Sequence, residues 1–176
     1  MAGRLCLVDF PGAEPSASLE RLIIEAHIGG VVLFRKNVTS PNQVTELTAA
    51  LQAIAHTAGT PGLWVAIDHE GGVVNRFPPD SGSPRVTPLP SAMALGATAD
   101  PALAHAAGRI AGRELCAMGI HLNFAPVLDV NNNPANPVIG ARAFGESPAL
   151  VEAMGLAYIK GLEEAGVAAT AASPAP

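Results

Sequence analysis

Two acids, a histidine and a glycine pair stand directly behind an apolar run in Ile67-Asp68-His69-Glu70-Gly71-Gly72-Val73-Val74-Asn75-Arg76-Phe77. These residue types suit the capture of a polyhydroxylated ligand. A carboxylate accepts hydrogen bonds from two hydroxyls at once, and glycine admits a ligand close to the backbone. Arg76, some eight residues beyond Asp68, is placed to return to the same spot as a donor. A purely structural alternative stands beside this one: Asp68 and Arg76 neutralise each other, and Glu70 fixes the loop through backbone amides.

A second polar stretch also leaves an apolar run: Asn123-Phe124-Ala125-Pro126-Val127-Leu128-Asp129-Val130, then Asn131 to Pro137, then Ile139-Gly140-Ala141-Arg142-Ala143-Phe144-Gly145. Asp129 and the asparagines read as turn formers that satisfy their own backbone. Arg142 differs, because an unpaired guanidinium among small apolar neighbours is costly. It should face a carboxylate or a bound ligand. Among the histidines, His27, His56 and His105 read as helix-surface residues, His121 as a strand start and His69 as a support of the motif. No metal site is expected from them.

The elements that must position these residues alternate along the chain. Short apolar runs at 5–10, 31–34, 63–67 and 121–124, with a shorter candidate at 167–170, read as strands. Helical segments lie between them, which predicts a parallel sheet covered by helices. Ser40-Pro41, Asp100-Pro101 and Ser147-Pro148 each set a capping side chain before a proline at the first helical position. Gly59, Gly119 and Gly166 supply the stops. A further helix over 18–27 brings the count to four helices and five strands.

Val44, Leu47, Leu51 and Ile54 form one stripe, and Val151, Met154, Tyr158 and Leu162 another. Ala107, Ile110, Ala111, Leu115 and Met118 form a third, with Gly108 and Gly112 inviting close approach. All three are expected to face the core rather than a cofactor, and no cofactor is expected. A long loop rich in Pro, Gly and Ser over 77–90 follows the third strand, at the strand end where α/β proteins bind ligands.

Composition narrows the function classes. With 49% hydrophobic and 14% charged residues, the 176-residue chain is expected to bury one core. The net charge of −5 comes from scattered acids, with no Lys/Arg cluster to engage a phosphate backbone, so nucleic acid is not an expected partner. Asp9 and Pro11 interrupt the apolar start, and no segment reaches membrane-spanning length. A cytoplasmic protein with no membrane partner is the expectation. Cys6 and Cys116 fit no ligand spacing and are expected to be small buried hydrophobes in a reducing compartment.

Taken together, Asp-His-Glu-Gly-Gly with Arg76, then Phe-Ala-Pro-Val-Leu-Asp-Val and Ile-Gly-Ala-Arg-Ala-Phe-Gly, resemble the N-terminal domain of family 3 glycoside hydrolases. The resemblance covers nearly the whole chain and is nearest to the bacterial β-N-acetylhexosaminidase branch. It implies a partial TIM-type (β/α)8 barrel over 1–170, with 171–176 a disordered tail outside the family pattern. It also implies a retaining hydrolase that removes terminal β-N-acetylglucosamine, acting on an N-acetylglucosamine-containing saccharide or a muropeptide. Asp68, Arg76 and Arg142 take the positions of the residues that hold the sugar.

The chain departs from the family where its Lys-His-Phe-Pro-Gly-His-Gly segment is due. Gly166-Val167-Ala168-Ala169-Thr170 is followed by Ala171-Ala172-Ser173-Pro174-Ala175-Pro176, and no residue here is expected to carry the acid/base or nucleophile role. A Phe-Pro-Gly coding run read one base later gives Ser-Pro-Ala, and a frameshift is one expectation. Val73 stands where the family often has arginine, and Asp9 where its first strand usually ends in glycine.

Five strands of an eight-stranded barrel would expose two edges, so marginal stability, self-association and no hydrolysis by the isolated chain are expected. Three other readings remain. They are a non-catalytic carbohydrate-binding remnant, a β-glucosidase or β-xylosidase fragment of the same family, and a generic doubly wound binding domain.

Overall fold

The computed structural model describes residues 2–77, 85–133 and 135–173. Five strands, β1 (Leu7–Val8), β2 (Gly30–Leu33), β3 (Trp64–Ile67), β4 (Leu122–Asn123) and β5 (Ala168–Ala169), pair in parallel in chain order. The register sets Leu33 beside Ile67 and Ile67 beside Asn123, so the strands finish level and their following loops share one rim. Consecutive parallel neighbours joined by helical crossovers form the half-turn of a (β/α) barrel. The partial barrel read from the sequence is therefore present.

The helices are α1 (Ala17–Ile24), α2 (Pro41–Thr57), α3 (Ala92–Thr98), α4 (Pro101–Ala117) and α5 (Pro148–Glu164), with short 3-10 turns at Ala2–Leu5, Arg35–Asn37 and Gly140–Arg142. Proline-led starts were legible: Ser40 Oγ accepts the Gln43 N–H and Asp100 Oδ1 the Ala102 N–H. Ser147 makes no side-chain cap bond. Among the described residues the count of four helices is corrected to five. Helix α3 has no proline start and only seven residues, too few for a legible stripe, yet Ser91 caps it.

Burial follows the three stripes, with one exception. Val44, Leu51, Leu115, Met154, Tyr158 and Leu162 are buried around the strands, whereas Ile110, expected on the core face of α4, is 40% exposed. Gly108 and Gly112, on the opposite side of the helix from Ile110, bring α5 onto α4. A Cβ on Gly108 would sit 2.2 Å from the Tyr158 carbonyl oxygen, and one on Gly161 2.2 Å from that of His105. Backbones approach this closely only where side chains are absent.

Other expectations change at the ends of the sheet. The first strand shrinks from 5–10 to two residues, because Ala2–Leu5 wind into a turn whose Gly3 carbonyl accepts from Cys6 and Gly29. Cys6 and Cys116, expected to be buried, are both exposed free thiols. His27 lies beyond α1 with a left-handed φ of 51°, not on a helix surface. Residues 171–173, expected to be disordered, carry the sheet onward: Ala172 bridges Val127, donating to Pro126 and accepting from Leu128. The predicted 77–90 loop falls partly outside the described residues, at 78–84. Among the described residues no helix is long and apolar enough to cross a membrane.

Candidate functional site

The glycine-containing motif turns back on itself just past β3. The Glu70 and Gly71 amides both donate to the Val74 carbonyl and the Val74 amide donates to that of Gly71, leaving Val73 76% exposed at the tip. Gly71 and Gly72 adopt φ of 88° and 55°. Expected to make room for a ligand, they make room for the chain itself. A Cβ on Gly71 would lie 2.7 Å from the Pro90 carbonyl oxygen, one on Gly72 2.7 Å from Ser91 Cβ, and Gly72 N–H donates to Leu89. The pair thus docks the motif against the segment leading into α3.

That turn returns Arg76 to the strand end, where its guanidinium donates to Asp68 Oδ2. The two side chains are 22% and 23% exposed. The guanidinium carbon lies 5.6 Å from the centre of the Phe34 ring, which follows β2, so a cation–π contact fixes the arginine from the other side. Asp68 Oδ1 is engaged by no described residue.

On the structural alternative, Glu70 would bond backbone amides. Instead its carboxylate takes a two-pronged grip from Arg142, with Nε on Oε2 at 2.9 Å and Nη2 on Oε1 at 2.5 Å. Such fork-to-fork pairs are among the stronger protein hydrogen bonds. Glu70 is only 7% exposed and Arg142 20%. Of the two partners expected for Arg142, a carboxylate or a bound ligand, the structure supplies the carboxylate, and Glu70 is the residue whose part in the rim sequence reasoning missed. Its signal was available, as an acid two residues past Asp68 on the same rim, but its partner lies 72 positions away.

The field around Arg142 ties the two pairs into one cluster. Its pKa is raised, first by the hydrogen bonds to Glu70 and further by the charges of Glu70, Asp68 and Asp129. Asp68 and Glu70, two residues apart just past β3, place both pairs at the same end of the sheet. Beneath them Tyr158 is buried with its hydroxyl unpaired among the described residues, and burial together with the Glu70 charge pushes its pKa up. Glu70, Pro126, Arg142, Phe144 and Tyr158 line one small cleft.

The second stretch divides as its residue types suggest. Asn133 and Asn136 accept from the amides of Ala135 and Val138, as turn formers do. Asp129 does not bond its own turn; it accepts from Ser173 Oγ at 2.9 Å. His121 is lowered in pKa by burial and accepts the Val65 N–H, while His105 pairs with Glu164 on the helix surface. Among the described residues no three His, Cys, Asp or Glu side chains are grouped to hold a metal.

Residues 2–172 match the profile of the glycosyl hydrolase family 3 N terminal domain. A β-hexosaminidase A of Pseudoalteromonas piscicida is 42% identical over 153 residues, 85% of this chain and 25% of that protein. A β-hexosaminidase of Neisseria meningitidis is 37% identical over 93% of this chain and 44% of its own length.

Among solved structures, a family 3 β-N-acetylglucosaminidase from Paenibacillus superposes with a TM-score of 0.92 at 46% identity, over 97% of this chain and 31% of that one. NagZ from Neisseria gonorrhoeae, solved in complex with N-trifluoroacetyl-D-glucosamine, gives 0.81 at 34% identity, over 93% of this chain and 47% of that one. The chain spans between a quarter and about half of the length of the curated relatives it matches.

Proposed function

The chain belongs to glycosyl hydrolase family 3, and on that premise we propose that its rim holds the terminal N-acetylglucosamine unit of a β-linked saccharide through Asp68, Arg76 and Arg142. The observation that carries this reading is the convergence of two carboxylate–arginine pairs at one end of the sheet. A pyranose presents adjacent hydroxyls, each both donor and acceptor. A carboxylate oxygen without a described partner beside two fixed guanidinium groups matches that pattern.

Both rim carboxylates are poorly suited to bond cleavage in this arrangement. Arg76 donates to Asp68 and Arg142 to both oxygens of Glu70, so each carboxylate is engaged by a guanidinium, whereas a retaining hydrolase needs an acid and a nucleophile that flank the scissile bond. The 176 residues therefore bind the sugar without cleaving it. Removal of terminal β-N-acetylglucosamine, the activity the relatives' names suggest, needs the acid/base and nucleophile roles that the family assigns to residues outside these.

The test is a titration of the chain with N-acetylglucosamine, followed by amide shifts at the ends of β3 and β4. Saturable binding that Asp68→Ala weakens by at least tenfold is expected, since a hydrogen bond to a charged group contributes roughly 1.5 to 3 kcal/mol. Binding unchanged by Asp68→Ala, or none at all, sinks the saccharide assignment. Cleavage of an aryl N-acetylglucosaminide by the chain would overturn the division of labour. The edges presented by β1 and β5 add a proposal of self-association, which sedimentation at rising concentration would reveal as a growing mean mass.

A further inference from the structure

A neutral side chain ties the charged rim together. His69 is 1% exposed, at the point where β3 passes into the motif. Its peptide group is fully occupied by one amide side chain of β4: the His69 N–H donates to Asn123 Oδ1 at 3.0 Å, and Asn123 Nδ2 donates to the His69 carbonyl at 2.8 Å. This reciprocal pair, 54 positions apart in sequence, fixes the backbone without help from the imidazole. The ring is therefore free for another task.

It lies edge-on to the Phe77 ring, with centroids 5.5 Å apart and planes at 81°. Nδ1 faces the backbone amide of Arg76 at 3.4 Å. The amide can only donate, so Nδ1 must be bare and the ring proton must sit on Nε2. Nε2 is buried and has no partner among the described residues. A histidine kept for packing alone has no reason to strand a donor, since apolar residues fill such space without that penalty.

We propose that His69 is a positioning residue for the Asp68–Arg76 pair: clamped to β4 through Asn123, its neutral imidazole receives the Arg76 N–H and so fixes where the guanidinium meets Asp68. The ring closes the turn from 70 to 76 by touching both of its flanks. Doubly protonated, it would present a donor to a donor and release the turn. Burial and the Arg76 charge oppose that state and lower the pKa to about 4, with the Asp68 charge acting the other way.

The consequence for sugar binding rests on the reading above of Asp68 and Arg76 as saccharide contacts; the positioning itself does not. In the wild-type chain at pH 7, long-range proton–nitrogen spectra should show His69 with a bare Nδ1 and a protonated Nε2. His69→Leu keeps the apolar packing and removes the acceptor, whereas His69→Gln offers a carbonyl in its place. The Arg76 amide should exchange with solvent about tenfold faster in His69→Leu and close to the wild-type rate in His69→Gln. Affinity for N-acetylglucosamine should follow the same order.

A ring carrying its proton on Nδ1, or an Arg76 amide equally protected in His69→Leu and wild type, overturns the proposal. The tautomer spectrum needs no variant, so a variant that fails to fold leaves that test standing. If the wild-type chain binds no sugar, the saccharide reading falls, and tautomer and exchange still decide the role of His69.

Discussion

The two ion pairs of the rim look alike on paper and differ in construction. Asp68 and Arg76 are eight positions apart, joined by one guanidinium nitrogen and about equally exposed. Glu70 and Arg142 are 72 positions apart, joined by two nitrogens, with the acid almost out of solvent. The first is a local loop held open to water, and the second a strut between two loops of the barrel rim. The difference separates a contact that a ligand can borrow from one that must stay made for the rim to exist.

Breaking the strut should have the largest effect of the substitutions. Glu70→Ala leaves a partly buried guanidinium without its carboxylate and should lower unfolding stability in urea by about 2 kcal/mol. A loss under 1 kcal/mol would mean that Arg142 finds another acceptor.

Acid sharpens the comparison from the side of His69. Its pKa falls from the ordinary 6.5 to about 4 on folding, so between those values the unfolded chain binds more protons. Stability should therefore be full above about pH 6.5 and decline toward pH 4, by on the order of 3 kcal/mol at most. His69→Gln should flatten that part of the curve, and an unchanged slope would refute the shift.

Arg142→Lys keeps the charge and loses the fork. It should cost about 1.5 kcal/mol, intermediate between wild type and Glu70→Ala, when melts of the three proteins are compared. Smallest is the stability effect of Asp68→Ala, within roughly 1 kcal/mol because the pair is partly solvated, even though its effect on sugar affinity is large. If Asp68→Ala unfolds the chain as readily as Glu70→Ala does, the two pairs are not built for different purposes.

Much of this was legible because it depends on short-range chemistry. Proline behind a capping residue announced α2 and α4, and their apolar stripes announced which faces are buried. Asp68 and Arg76 could be paired from spacing alone. Helix α3 could not be seen, since seven residues carry no readable period, and β1 was over-read because the segment just ahead of it, Ala2–Leu5, winds into a turn that takes in Leu5. Cys6 and Cys116 were misplaced for a related reason: hydrophobic character states a preference for burial, and the two thiols sit where no neighbouring element covers them.

The sequence by itself determined the alternation of strand and helix, the family and the identity of the charged residues available to the rim, because each is written in adjacent residues or in fixed motifs. Only the tertiary structure decided which acid holds Arg142, that Gly71 and Gly72 serve chain packing, and that Asn123 and His69 lock two strands together. The physical reason is that a side chain's partner is chosen by the register of neighbouring parallel strands. That register is a property of the assembled sheet and of no single segment.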